Sequence, residues 1–178
     1  MKQTLPYRQM AGFLFTGILG TFFHFLFDLS GESVFVAVIS AVNESIFEHL
    51  KLLFYPMILF AIFQYRRWGK EYQNFWCVKL WGILLGLILT PMLYYTYTGI
   101  FGVNVDWLNI AIFFLAAAAT YYWETKLFLR PFACPWLQKA APGILAGLSV
   151  LFTVLTFFPP KIPFFRDPVT GSFGFFPL

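Results

Sequence analysis

Long apolar segments separated by short polar turns dominate the chain. A helix needs about 20 mostly apolar residues to cross a bilayer, and it satisfies its own backbone hydrogen bonds there. The pattern therefore predicts an all-α, polytopic bundle of five transmembrane helices in a single integral membrane domain, 1–178. The predicted spans are 10–28, 43–65, 75–97, 106–126 and 142–158, followed by an extracytoplasmic tail, 159–178.

A shorter apolar segment, 33–42, lies between the first two predicted spans. Ten helical residues are only about 15 Å long, roughly half of the hydrocarbon thickness of a bilayer. This segment therefore predicts a short helix on the outer face. It either lies in the membrane interface or re-enters the bilayer.

Small residues at four-residue spacing predict the faces by which membrane helices pack. Gly82, Gly86 and Thr90 share one face of the third predicted span, and Gly143 and Gly147 share one face of the fifth. We expect both faces to point into the bundle.

Composition agrees with lipid as the solvent for most of the surface. The chain is 60% hydrophobic and 11% charged, whereas soluble domains are about 45–50% apolar and 25% charged. The net charge is +4, but the basic residues lie in short loops and form no coherent patch. We therefore expect membrane lipid, and not nucleic acid, as a partner.

Basic residues are concentrated on one side of the predicted bundle. Cytoplasmic loops carry an excess of Lys and Arg, so the asymmetry predicts a cytoplasmic N-terminus and an outer C-terminus. Cys77 and Cys134 then lie on the cytoplasmic side, where thiols stay reduced, and no disulfide is expected. The inner set is Lys2, Arg8, Arg66, Arg67, Lys70, Lys79, Lys126, Arg130 and Lys139, and the outer set is Lys51, Lys161 and Arg166.

Both histidines of the chain lie where the first two predicted spans reach the outer side. His24 and Asp28 are one helical turn apart, and Glu44 and His49 open the second span. Ionisable groups in or near lipid are costly and mark functional sites. Two imidazoles with carboxylates suit a divalent metal, above all zinc. We therefore predict a metal site formed by His24, Asp28, Glu44 and His49.

The same region contains candidate catalytic residues. Metal-bound water can act as a hydroxide nucleophile, with Glu48 or Glu44 as general acid and base. Asn43 could polarise a carbonyl or phosphoryl oxygen. The predicted function is a metal-assisted hydrolase or transferase that acts on a lipid-like substrate at the outer membrane face.

Two other functions use the same residues. Glu44 and Glu48 share a helical face, so one carboxylate could keep its proton, as a proton- or cation-coupled transporter or transporter subunit requires. The chain has no evident internal repeat, which many transporters have. In a non-catalytic scaffold, Ser45 and Glu48 would form a capping box behind Asn43 as N-cap, or Glu48 would pair with Lys51.

Two stretches resemble a known family. The string at 43–51 reads NESIFEHLK, and the tail contains Pro159-Pro160, Asp167-Pro168 and Gly171. Together they resemble a family of small bacterial multi-pass membrane proteins that is described only as a domain of unknown function. The resemblance covers most of the chain and implies a protein of the bacterial inner membrane. It implies no activity, substrate or catalytic residue.

Overall fold

A computed structural model describes residues 4–130 and 134–175, and this part of the chain is helical without a β-strand. The predicted all-α class is confirmed. Lys2 and the last three residues of the predicted tail lie outside the described residues. The helices are α1 (Leu5–Leu29), α2 (Val34–Ala37), α3 (Ile46–Arg67), α4 (Phe75–Phe101), α5 (Asp106–Leu129) and α6 (Pro135–Phe157), with 3-10 turns at Gly69–Glu71 and Pro163–Phe165.

Four of the long helices, α1, α3, α4 and α6, are long and apolar enough to cross a membrane. The fifth, α5, has 24 residues, which is also sufficient length. Polar residues at its ends, among them Asp106 and Glu124, lower its hydropathy. A membrane protein is thus supported by four helices, and the crossing by α5 stays a prediction.

Helix α6 begins at Pro135, earlier than the predicted start at 142. Pro135 occupies the first turn, where its missing N–H costs nothing, and Pro142 is accommodated inside the helix. At the other end of α4, Gly102 terminates the helix in the left-handed conformation, with φ of 68°.

Helix α3 is the central element of the bundle. About 61% of its most apolar segment is buried inside the protein, against 22–39% for the other three apolar helices. It packs against α1, α4 and α6, while α5 packs against α1 and α4. Its buried residues, including Leu53, Phe54 and Met57, form the middle of the main apolar core.

The predicted short outer helix, 33–42, is only partly helical. α2 covers one turn, and the segment after it folds back onto α1, where the Ser40 hydroxyl donates to the carbonyl of Phe23. Ala37 and Ser40 are fully buried, whereas Phe35 is 90% exposed. One side of the segment therefore packs on the bundle, and its other side is exposed.

The two predicted glycine faces differ in the structure. Gly82 and Gly86 are buried in α4, where a Cβ would meet the side chains of Glu124 and Thr120 of α5, so this prediction is confirmed. Gly143 and Gly147 of α6 have open space around them. Their predicted inward orientation is wrong, because α6 packs through a different face that carries Ala141 and Leu145.

The expectation that both cysteines stay reduced is also wrong. Cys77 and Cys134 form a disulfide that links the start of α4 to the start of α6. Beside it, the side-chain oxygen of Gln138 accepts a hydrogen bond of 3.0 Å from the backbone N–H of Cys77. The cysteines are 57 positions apart in sequence, so only the packing of α4 on α6 brings them together.

A buried ionic network occupies the bundle near the basic ends of the helices. The Lys79 ammonium contacts the Glu124 carboxylate at 2.6 Å, and Gln9 donates to the same carboxylate. Gln64 in turn donates to Gln9, so the network links α4, α5, α1 and α3. The sequence predicts Lys79 to be one of the cytoplasmic loop charges. In the structure it is 1% exposed and serves helix packing instead.

Close helix contact at Gly20 generates a first prediction. A Cβ on Gly20 would lie 2.5 Å from the backbone carbonyl oxygen of Leu52 and 2.7 Å from the Phe113 ring. We expect Gly20→Ala to lower the free energy of unfolding by about 1–3 kcal/mol, the usual cost of overpacking. Thermal unfolding of the detergent-purified protein measures the effect.

The matched control is Gly143→Ala, since Gly143 is also helical but has no neighbour within 4 Å of an added Cβ. Alanine has the higher helix propensity by about 0.5–1 kcal/mol, so this variant should be neutral or slightly more stable. Equal destabilisation by both substitutions would contradict the assigned packing of α1 on α3.

Candidate metal centre

His24, Glu44 and His49 converge at the end of the bundle where α1 ends and α3 begins. The distance from His49 Nε2 to Glu44 Oε2 is 3.4 Å, and that from His24 Nε2 to Glu44 Oε1 is 3.9 Å. One ligand atom of each residue lies within 4.8 Å of the others. The side chains are between 29% and 48% exposed, so the group opens to the surroundings.

The spacing of these atoms approaches that of a tetrahedral metal site, although only one of the two Glu44–histidine distances reaches it. Zinc–nitrogen and zinc–oxygen bonds of about 2.0–2.2 Å place neighbouring ligand atoms about 3.3–3.6 Å apart. The distance from His49 to Glu44 Oε2 meets this value, whereas His24 approaches the other carboxylate oxygen, Oε1, at a distance that exceeds it by a few tenths of an ångström. Three protein ligands with an open side are typical of catalytic zinc sites.

The ring of His49 is oriented by its own helix. Its Nδ1 lies 2.9 Å from the carbonyl oxygen of Ser45, and since a carbonyl only accepts, Nδ1 carries the proton. The lone pair of Nε2 then faces Glu44. An orienting hydrogen bond on the second ring nitrogen is the usual support of a metal-ligating histidine.

The ring of His24 has no such support. Its Nδ1 is buried and lacks a hydrogen-bond partner among the described residues. Metal binding through Nε2 would put the proton on Nδ1 without an acceptor, which is unfavourable for a buried group. His24 is therefore the weaker of the two imidazole ligands.

Asp28 is not part of the group. It lies one turn after His24 and is exposed, and its backbone carbonyl accepts from the N–H of Gly31 where α1 ends. Its charge acts on His24 through space. Of the four predicted ligands, the structure thus brings together His24, Glu44 and His49.

Glu48 lies in a different environment from Glu44. It is 1% exposed, and one carboxylate oxygen contacts the Lys51 ammonium at 2.5 Å and accepts from the Val42 N–H at 3.1 Å. The other oxygen accepts from the Thr156 hydroxyl, while Lys51 also donates to the Ala37 carbonyl. Glu48 therefore holds the segment before Glu44 in place and is not exposed to a substrate.

The capping pattern is partly as predicted. Ser45, and not Asn43, is the N-cap of α3, and its hydroxyl accepts from the N–H of Glu48. The Glu48 side chain does not return to the Ser45 N–H, which donates instead to the Asn43 side chain at 2.9 Å. The Asn43 amide also donates to the carbonyl of Gly174. Asn43 thus forms the turn that carries Glu44 and ties it to the tail.

The tail closes over this turn from the outside. Asp167 is 4% exposed, and its carboxylate accepts the N–H of Val169 and the hydroxyl of Thr170. Burial alone would raise the pKa of Asp167, but these bonds and the backbone of Glu44 outweigh it and hold the pKa below its usual value. The tail aspartate is thus a carboxylate that fixes the backbone at Glu44.

The Glu44 turn is positioned by the Glu48–Lys51 pair, by Asn43 and by the tail aspartate, Asp167. The sequence alone indicated only some of these contacts. The i+3 spacing of Glu48 and Lys51 predicted that the two side chains pair, and the structure confirms the pairing. This pairing is the structural alternative to a catalytic role of Glu48. Thr156 and Asp167 are far away in sequence, and no local pattern connected them to the histidines.

The buried pair generates a second prediction. Lys51→Met would leave the Glu48 carboxylate buried without its counter-ion, which costs about 3–5 kcal/mol. The double variant Glu48→Gln/Lys51→Met removes both charges, and we expect it to recover most of that loss. Chemical unfolding in detergent measures the two free energies.

Lys161→Met is the control, because Lys161 is an exposed lysine of the same outer end and should leave stability unchanged. If the double variant were as unstable as Lys51→Met, the loss would come from the lysine side chain itself, and the ion pair would not explain it.

Comparison with known proteins identifies a family. A family model described as "Family of unknown function (DUF6512)" matches residues 7–175, and the chain belongs to this family. No curated protein and no solved structure matches the chain.

Proposed function

We propose that this member of a family of unknown function is a membrane metalloenzyme, with zinc bound by His24, Glu44 and His49. The observation that carries the proposal is the convergence of three ligand atoms within 4.8 Å at an open end of the bundle. A structural zinc site would be closed by a fourth protein ligand. This group has three ligands and an exposed side, so a water or substrate oxygen can complete it.

The proposed reaction is hydrolysis or group transfer. Zinc in such a site lowers the pKa of a bound water to about 7 and polarises a carbonyl or phosphoryl oxygen. Asp28 is exposed one turn from His24, and in this proposal its carboxylate exchanges protons with that water. Glu48 contributes by positioning Glu44, since its own carboxylate is neutralised by Lys51.

The surroundings of the group favour a lipid-like substrate. Exposed apolar side chains flank it on α1 and on the segment after it: Phe25, Leu29, Val34 and Phe35. The centre of the Phe25 ring lies 5.0 Å from the centre of the His24 ring. A substrate whose apolar part stays in the membrane could thus present a polar headgroup to His24 and His49.

We infer that the site faces outward from a bacterial inner membrane. Without the buried Lys51 and Lys79, the cationic residues still number eight on the side of the N-terminus and two on the other side. This asymmetry favours a cytoplasmic N-terminus, which puts the end of α1 and the start of α3 on the outer face.

Metal content provides the test of the site. We expect about one zinc per chain in the detergent-purified protein, a large loss in His49→Ala and Glu44→Gln, and a smaller loss in His24→Ala because its ring lacks an orienting partner. Inductively coupled plasma mass spectrometry measures the metal. A membrane-impermeant chelator added to intact cells should remove the zinc if the site faces outward.

Asp28→Asn is the matched control, since Asp28 is an exposed carboxylate beside the group but outside it, and this variant should retain the metal. A wild type without metal after reloading with zinc would contradict the metalloenzyme. Zinc that resists the external chelator but is released from broken membranes would contradict the outward orientation alone.

The reaction is tested with the zinc-loaded protein in vesicles of mixed phospholipids. We expect release of free fatty acid or of a phosphorylated headgroup, detected by mass spectrometry, and loss of this release in His49→Ala. Asp28→Asn should reduce the rate while it retains zinc. A protein that binds zinc but releases no product, and instead moves protons or cations across the vesicle membrane, would favour the transporter alternative.

A further inference from the structure

The C-terminal end of α5 lies at the opposite end of the bundle from the histidines. We propose that a groove on α5, formed by Tyr122, Trp123, Lys126, Leu127 and Arg130, binds the phosphate headgroup of an anionic membrane phospholipid. The groove has a volume of about 270 Å³. It lies outside the zinc site and does not depend on the proposed reaction.

The two cations of the groove lie at the C-terminal end of α5, Lys126 in its last turn and Arg130 as its C-cap residue. Lys126 and Arg130 line the same groove, and both are exposed. Like charges in one groove repel each other. An anion between them would remove the repulsion and bind to both.

Within the described part of the chain, no carboxylate forms an ion pair with these cations. Among residues 4–130 and 134–175, the acidic side chains that form ion pairs engage Arg8, Lys51, Lys79 or a histidine, and not Lys126 or Arg130. The C-terminal end of α5 contributes only about half a negative charge through its dipole. Two full positive charges therefore leave the groove clearly electropositive.

The aromatic residues place the groove at the depth of lipid headgroups. Tyr122 and Trp123 are exposed, and such rings are enriched at the membrane–water interface. The Lys126 ammonium lies 5.0 Å from the centre of the Tyr122 ring, so the cation and the aromatic ring are adjacent on the surface of the groove. An acyl chain could follow the apolar surface at Leu127.

The groove is also on the side where anionic lipid is expected. Phe128 of α5 packs with Leu5 at the start of α1 and with Trp68 at the end of α3, so the groove lies at the basic end of the bundle, which is cytoplasmic in the orientation inferred above. Basic pockets on that side of membrane proteins bind anionic headgroups, and each Lys or Arg near such a surface contributes appreciably to the attraction.

The test compares lipid binding by native mass spectrometry of the detergent-purified chain, titrated with phosphatidylglycerol and, separately, with phosphatidylcholine. We expect preferential binding of phosphatidylglycerol, with affinity reduced about tenfold to thirtyfold in Lys126→Gln/Arg130→Gln. Weak phosphatidylcholine binding should be the same in both proteins.

The control is Arg66→Gln/Arg67→Gln. It removes the same charge at the same end of the bundle from two exposed residues that are consecutive and so point in different directions. Its phosphatidylglycerol affinity should stay near that of the wild type. An equal loss in both double variants, or no loss in either, would overturn the groove as a lipid site.

Inorganic phosphate distinguishes the source of the anion. If millimolar phosphate bound with the affinity of phosphatidylglycerol and displaced it completely, the groove would be a free-phosphate site and the lipid assignment would be wrong. Both double variants change surface residues, so unchanged thermal unfolding confirms that any lost binding is local.

Discussion

The buried ion pair between Glu48 and Lys51 determines the arrangement of the outer end. Neither charge has water around it, so each must be satisfied by protein groups. The groups that do so come from separate elements: the Val42 N–H and Ala37 carbonyl before α3, and the Thr156 hydroxyl of α6. The pair thereby fixes α6 and the connecting segment on the first turn of α3, and the Glu44 turn has little freedom left.

The opposite end uses the same device for a different purpose. Lys79 and Glu124 are also buried and paired, and Gln9 and Gln64 extend the network across four helices. The side chains of this network are all buried, whereas the Glu48–Lys51 pair at the outer end lies next to a partly exposed group of histidines. A buried pair is weak evidence for stability, and its best-attested role is to specify the register of packed elements. The outer pair specifies in addition the position of Glu44.

The sequence predicted the helices and both histidines because these depend on local patterns. Apolar length predicts a span, and His24 and His49 flank the connection between the first two spans. The choice between Asp28 and Glu44 as ligands was not predictable in the same way. Asp28 follows helical spacing to the end of α1, but Glu44 lies in a turn whose direction depends on Asn43 and the distant tail. The disulfide and the exposed Gly143 face likewise depend on how α6 packs.

The disulfide and the charge distribution favour opposite orientations, and the two have different physical origins. Lys and Arg in short loops act while the helices insert, before α4 and α6 can meet. The Cys77–Cys134 bond requires the finished packing of these helices, so it cannot direct insertion. Disulfides are rare in the cytosol because reductants reach them, but Cys77 is fully buried. The charges therefore favour the outward-facing histidine group proposed above, and burial of Cys77 would protect the disulfide from cytosolic reductants in that orientation.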